Sequence, residues 1–569
     1  MKQTIIFLLV IFLSCSKSKP VDPESDRVFI NKKYINTVSF NDFNDLGKAY
    51  YFIKLWGFLK YNADFDGADV DWDDYFLNNI DRLPKMNKAD YVSFIEATLA
   101  VFPIPEEKEE KNKTEHYCLL DNNWFSSAYF NKTISDKLTY IFENRTEENT
   151  MFISNNSMGN LTFLNEEEYD DSNYPETNIR LLGLARYWNI INYFYIYKND
   201  VDENWDEVLL SHINDFKEAK DVKSYQISVQ KLSSKLYDCH SMVYSQYLDS
   251  KFFGRFVPNF RMKRIEDTFI VTEIRTTMYD DSQIKVGDVL LKIDGEPVLK
   301  RYNYFRTMMR GANPPSEQRI ICPYVLSSTN DNMKLLLLRE GKKLQVNVSL
   351  NDYSKLSKAE KKHKNAEMEK VVERKLPQGT SYLDLTYISR SNFDENMEAV
   401  KNADNLILDL RNQFDARILT DLAAFILPET SAFFSSSYAD ANRPGLLHIV
   451  DGYTVGNDNA GYFKGNVYLL VDEHIQSASE FLVMALQASP KTKVIGSQTA
   501  GSDGNVVEFR FPGNIKTVFT GIGIYYPDLT ATQRHGIKID YQVDQTIKGI
   551  RNGKDEALEK CLSIINTNK

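Results

Sequence analysis

Val467-Tyr-Leu-Leu-Val-Asp-Glu-His-Ile-Gln-Ser477-Ala-Ser479-Glu480-Phe-Leu482 is the stretch that decides how this chain folds. The apolar run from Val467 to Val471 reads as a buried strand. A short turn follows, and Ser477 opens a helix expected to run to Ala488. A hydroxyl at that corner lies beside unpaired helical N–H groups and the positive end of the helix dipole. Acyl transfer needs such an environment, because negative charge develops on the carbonyl oxygen. Ser477-x-x-Glu480 is equally a capping box, which any helix start can use.

Working outward, strands and helices alternate through residues 377–569. Ser381 to Tyr387, Asn405 to Leu410, and Lys493 to Ile495 read as strands, and Asn392 to Lys401 and Leu419 to Ile426 as helices. This βαβ pattern predicts an α/β core. Before it, 353–376 is a charged linker. Upstream again, 253–352 is strand-rich. Gly287-Asp-Val-Leu-Leu-Lys-Ile-Asp294-Gly295 places an alternating strand before an Asp-Gly hairpin turn, and Glu340-Gly341 marks a second turn. This block resembles a PDZ domain, although it carries no Gly-Leu-Gly-Phe-like carboxylate loop.

The N-terminal half contains an internal repeat. Trp56-Gly-Phe-Leu-Lys-Tyr61 is echoed by Trp188-Asn-Ile-Ile-Asn-Tyr193, and Asp71-Trp72-Asp73 by Asn204-Trp205-Asp206. Apolar residues at helical spacing give two amphipathic helical units, 42–104 and 178–252. The Trp and Tyr stripes belong to cores. Residues 105–177 between the units are expected to be a small β-rich insertion. The second unit ends in Asp238-Cys239-His240-Ser241; the first has no His at its end.

Lys2, the apolar run Ile5 to Leu13 and Leu13-Ser14-Cys15 resemble a bacterial lipoprotein signal, with Cys15 as the lipidated residue. Residues 1–15 are then the signal peptide and 16–41 a polar tether. The resemblance implies an exported, membrane-anchored protein of the cell envelope, on the periplasmic or outer-membrane face. Cys118, Cys239, Cys322 and Cys561 are scattered, without zinc-type pairing, and buried free thiols are expected. No metal or cofactor motif stands out. With 68 basic against 79 acidic residues, the net charge of −11 gives nucleic-acid binding no support.

Several motifs together resemble the S41 peptidase family, the C-terminal-processing or tail-specific proteases. They are Leu408-Asp-Leu-Arg411, the strand before Ser477-Ala-Ser479-Glu480, Lys493-Val-Ile-Gly496, Gln498-Thr-Ala-Gly501 and Gly536-Ile-Lys-Ile-Asp540. The order of parts from residue 180 onward (helical unit, PDZ-like block, catalytic core) matches as well. The resemblance implies a crotonase-like α/β core and a serine endopeptidase that needs no cofactor and cleaves polypeptides. Ser477, not Ser479, is then the nucleophile. Many members supply the base as a Lys in a Gly-Lys-Gly turn; here Ser502 stands there. The branch resembling the tricorn protease core takes a His from the helical domain, which implies His240 as general base. His474 and His535 are rivals. Gln533 lies near the position at which that branch carries an acidic residue supporting the active-site network, and the resemblance implies it as a member of the catalytic set. The oxyanion donors implied are the backbone N–H groups of Ala478 and Phe414, the latter where relatives carry Gly. A peptide-binding pseudoprotease is the alternative.

Overall fold

The strand Asn405–Asp409 is buried along its whole length and sits centrally in a six-stranded sheet. The order is Arg374–Leu376, Thr380–Asp384, Asn405–Asp409, Asn466–Val471, Thr492–Gly496 and Tyr541–Gln542. The first pair is antiparallel and every later pair parallel. Alternate side chains part to opposite faces. Leu406, Leu408, Val467, Leu469 and Val494 pack under helices Leu419–Ile426 and Ala478–Gln487. Ile407, Tyr468, Leu470 and Ile495 pack under the C-terminal helix Glu556–Thr567. A parallel sheet covered on both faces explains the continuous apolar runs.

The computed structural model describes residues 38, 40, 42–65, 70–109, 119–145, 151–275, 283–358, 373–412 and 414–567. The expected lipidation site Cys15, the leader and tether expected around it, and Cys118 lie outside these residues. Cys239, Cys322 and Cys561 are buried and form no disulfide. No helix among the described residues is long and apolar enough to cross a membrane.

Two helical stretches build the N-terminal half. Asp45–Asn62, Trp72–Leu77 and Lys88–Leu99 form one; Thr177–Phe194, Trp205–Lys217 and Val222–Ser234 form the other. In the first, Trp56 Nε1 donates to the Trp72 carbonyl and Trp72 Nε1 to the Trp56 carbonyl, at 2.9 and 3.0 Å. Trp188 and Trp205 exchange the same pair of bonds at 2.7 and 3.0 Å. The two stretches also exchange charges. Lys54 reaches Asp206 at 2.7 Å, and Arg186 pairs with Asp73. The connecting stretch 105–177 needs correction. Its described part holds the helix Lys132–Asn144, a short 3₁₀ turn and a single two-stranded hairpin, so it is more helical than β-rich. Ile134, Leu138, Ile141 and Phe142 fall at helical spacing and are all buried, and this burial overrides the β-like local composition.

In 253–352 the sheet order is Lys342–Ser349, Asn332–Arg339, Val289–Ile293, Thr268–Ile274 and Phe260–Ile265, with Glu296–Pro297 paired to Val289–Ile293. Asp294 and Gly295 both adopt positive φ, 49° and 84°, as the hairpin turn between those strands requires. Helices Val298–Arg306 and Pro314–Val325 pack on this sheet. The charged linker ends earlier than 376, because Arg374–Leu376 pairs with Thr380–Tyr382 as an edge strand.

Candidate active site

The strand Asn466–Val471 ends at the sheet's carboxyl edge, and the helix Ala478–Gln487 begins seven residues later, after Ser477. Ser477 holds φ 59° and ψ −126°. Side-chain-bearing residues rarely adopt these angles, and such strain costs about 1–3 kcal/mol. The Ser477 Oγ lies near the Glu480 N–H in capping-box fashion, yet it is buried and makes no hydrogen bond among the described residues.

Glu480 is fully buried and ties the Ser477 corner together. One carboxylate oxygen accepts from Thr499 Oγ1 at 2.6 Å and Gly501 N at 2.8 Å. The other accepts from Ser502 N at 3.0 Å and Ser477 N at 3.3 Å. Burial raises its pKa above the ordinary carboxylate value, against the pull of these donors. The Ser477 N–H also donates to the Ser502 carbonyl at 3.0 Å. Capping and positioning of Ser477 are therefore one structure.

His240 arrives from the other half of the molecule. After Val222–Ser234 the chain turns through Tyr237, at φ 49°, and then pairs Val243–Tyr244 antiparallel with Lys516 and Thr517. That pairing brings the His240 ring beside the end of strand Ile515–Thr520. His240 Nδ1 lies 2.9 Å from Thr520 Oγ1, 3.2 Å from Ser502 Oγ and 3.6 Å from Asp238 Oδ1. Its other nitrogen, Nε2, is buried and without a hydrogen bond among the described residues. The Ser477 hydroxyl and His240 Nε2 are thus both unpaired and flank one residue. Ser502 bonds Ser477 through its carbonyl and His240 through its hydroxyl.

Asp238 is a site residue to which the sequence reading gave no role. The Asp-x-His spacing two residues before His240 is the signal that could have found it. Asp238 Oδ1 accepts from Ser502 Oγ at 2.5 Å and the His240 N–H at 3.0 Å, while Oδ2 accepts the Thr520 N–H at 2.8 Å. Burial alone would raise this carboxyl, but hydrogen bonds and charge from His240, together with Ser502, hold it well below the usual range. It is an anion beside the imidazole. Gln533, expected to orient the network, is buried and makes no hydrogen bond to His240; its Oε1 has no partner among the described residues. Gln533 is implied by the resemblance to the tricorn branch, whereas Asp238 is held beside the ring by accepting the His240 N–H.

The rivals lie elsewhere. His474 pairs with Asp472 at 3.2 Å on the surface, and the His535 carbonyl accepts from the Gln498 side-chain amide at 3.2 Å. Asp472, Glu473 and His474 group closely enough to resemble metal ligands, but the Lys263 ammonium sits 2.7 Å from Glu473 and already answers that charge.

For the developing oxyanion, Ala478 is the first residue of the helix, and no hydrogen bond engages its N–H among the described residues. Phe414 buries its ring in the core beneath the sheet. The loop before it is anchored where Arg411 grips Asp409 at 2.9 Å and Asp555 at 2.7 Å. A buried ring at position 414 gives this loop a hydrophobic anchor where a Gly would leave it free.

Residues 379–543 match the model of Peptidase family S41. A structure of mature CPAF complexed with lactacystin is 14% identical, covers 68% of this chain and 97% of its own, and superposes with a TM-score of 0.53. A second structure of mature CPAF is 13% identical, covers 68% and 96%, and has a TM-score of 0.52. At such identity the likeness is one of fold. Among curated proteins no sequence matches. With its mostly parallel sheet and strand-to-helix serine corner, the stretch 379–543 is similar to domains of Peptidase family S41.

Proposed function

We propose that the protein is a serine endopeptidase that cleaves exported or unfolded polypeptides through a Ser477 acyl-enzyme, with His240 as general base and Asp238 as its orienting anion. The observation that carries this reading is the pair of buried, unpaired atoms, Ser477 Oγ and His240 Nε2, on either side of Ser502. An unpaired buried polar atom is costly, and functional sites are where that cost is tolerated.

In the reaction, His240 Nε2 takes the Ser477 proton as Oγ attacks the peptide carbonyl. Asp238, ionised and close to Nδ1, stabilises the imidazolium and fixes which nitrogen faces Ser477. Thr520 and Ser502 hold the ring plane. The Ala478 and Phe414 N–H groups receive the oxyanion. The imidazolium then protonates the leaving amine, and water activated by the same base releases the acyl group. Ser502 stands where many S41 members carry a Lys base; its hydroxyl bridges Asp238 and His240 instead.

The strand-rich block 253–352 serves this reading as a PDZ-like module that presents polypeptide to the core. The Leu13-Ser14-Cys15 string makes the protein a lipid-anchored envelope protein. Palmitate labelling of wild type but not of Cys15→Ala is the expected result.

The test is labelling with a fluorophosphonate probe in wild type, Ser477→Ala and His240→Ala. Labelling of wild type alone, with all three folded, supports the mechanism. The pseudoprotease alternative draws on one observation, the absence of a Ser477–His240 hydrogen bond. A folded wild type that neither labels nor degrades unfolded casein moves the assignment there.

A further inference from the structure

The 499–502 loop carries most of the contacts that hold the site, and it is gripped from outside the peptidase domain. Asn313 lies in the strand-rich block, at the N-cap of helix Pro314–Val325. Its side chain is buried. Its Oδ1 accepts the Ser316 N–H at 3.0 Å, as a cap should. Its Nδ2 turns to the other domain and donates to the Thr499 carbonyl at 2.8 Å and the Ala500 carbonyl at 3.2 Å, with the Arg534 carbonyl at 3.4 Å. Next to it the Ala312 N–H donates to Cys239 Sγ at 3.3 Å, and that thiol lies 3.6 Å from the Ala500 carbonyl. Segments 238–240, 312–313 and 499–502 therefore meet at one point. Gly501 is required there, since a Cβ at that position would come within 3.0 Å of Asn313 Nδ2 and 2.9 Å of the Arg534 carbonyl carbon. The same block also holds the loop before the nucleophile, through Arg319 on Gln476 and Lys263 on Glu473.

We infer that Asn313 is a positioning residue for the peptidase reaction, setting the 499–502 loop through its two carbonyls and, through Ser502, the approach of His240 to Ser477. The inference rests on the Ser477–His240 reading above for its kinetic consequence, but the clamp itself does not. It makes the strand-rich block a structural part of the site: motion of the helix Pro314–Val325 is transmitted to Ser502 by a side chain that touches no substrate.

Asn313→Asp and Asn313→Ser test it. Asp and Ser cap a helix about as well as Asn, so helix Pro314–Val325 is preserved, while both variants delete the Nδ2 donor. Asp also sets a carboxylate against two carbonyl oxygens and should act more strongly than Ser. With a fluorogenic peptide derived from casein, kcat per active site titrated with fluorophosphonate should fall about tenfold or more, Asp beyond Ser, with KM within about twofold. Titrating the sites separates mispositioning from a merely smaller folded fraction. Hydrogen exchange over 497–505 should quicken in both variants while the central sheet stays protected. Wild-type kcat per site in both variants overturns the positioning role. Unchanged exchange over 497–505 overturns the clamp. A wild type that does not acylate at all, with exchange still quickened in the variants, leaves the clamp standing and removes the Ser477 reading instead.

Discussion

The helical stretches 45–99 and 177–234 share one frame and differ at their exits. In each, two tryptophans on successive helices exchange indole N–H bonds with one another's backbone carbonyls. Each also lends a cation to the other's carboxylate, Lys54 to Asp206 and Arg186 to Asp73. Beyond the last helix the two part. Counting equally from Tyr91 and Tyr225, the first chain reaches Ile104, 67% exposed, and the second reaches Asp238, 1% exposed. The second exit turns at Tyr237 and is drawn onto strand Ile515–Thr520, which brings Asp238 and His240 to Ser502. The paired frames are alike, and the second exit alone pairs with a strand and carries the residues proposed for chemistry.

The largest expected effect separates the exits. His240→Ala should lower kcat/KM on a polypeptide substrate by about 10⁴-fold or more, in line with loss of the base in a serine triad. Glu106→Ala, the counted counterpart of His240, should leave it unchanged. A His240→Ala enzyme within tenfold of wild type would falsify the assignment of chemistry to the second exit.

The next effect tests whether the frames are equivalent. Removing one partner of a buried ion pair strands the other charge and costs about 3–5 kcal/mol. Asp73→Ala and Asp206→Ala should both fall in that range by urea denaturation. Asp206 should be the costlier, because Glu166 still answers Arg186 and Lys60 once Asp73 is gone, whereas Asp206 is the carboxylate that answers Lys54. If Asp206→Ala costs no more than a surface pair, the charge exchange is decorative on that side. A smaller effect follows for the indoles. Trp72→Phe and Trp205→Phe each leave a buried carbonyl without its donor and should each cost about 1–3 kcal/mol. Similar values would mark a shared frame, and a wide gap would break it.

How much of this was legible in the sequence differs between the parts for physical reasons. The core strands and the Ser477 corner were readable because long apolar runs and turn chemistry are local. The two Trp-bearing units were readable because a repeat compares the chain with itself. Residues 105–177 were misread, since short Asn- and Thr-rich runs look like strands until tertiary burial selects the helix Lys132–Asn144. At the site, Ser477 and His240 stood out by motif, but the partners of His240 did not. Thr520 and Ser502 lie 280 and 262 residues from His240, and tertiary contacts such as the pairing of Val243–Tyr244 with Lys516–Thr517 bring them together. Asp238 was in view in the quoted string; its role depends on where the ring lies, which spacing does not state.

The smallest effect concerns the second exit's carboxylate and its response to pH. Asp238 is held well below its ordinary value in the folded protein. An unfolded Asp titrates near pH 3.9, so the ionised group's stabilisation is fully present above that value. It is lost as pH falls, because the unfolded chain takes up the proton before the folded one does. Between pH 7 and pH 3 a single such group should forfeit about 1 kcal/mol of stability. Asp238→Asn removes the titration, so that part of the acid sensitivity should vanish in the variant, whatever its stability at neutral pH. The stability gap between wild type and Asp238→Asn, measured by urea denaturation at each pH, should hold constant from pH 7 to about pH 5 and shift by about 1 kcal/mol in the variant's favour by pH 3. The first exit provides the control, since Ile104 cannot titrate and Ile104→Ala should show the same gap at both ends of the range. A gap for Asp238→Asn that does not move with pH would mean that the carboxyl is not held as an anion beside His240. The second exit would then deliver a histidine without its counter-charge.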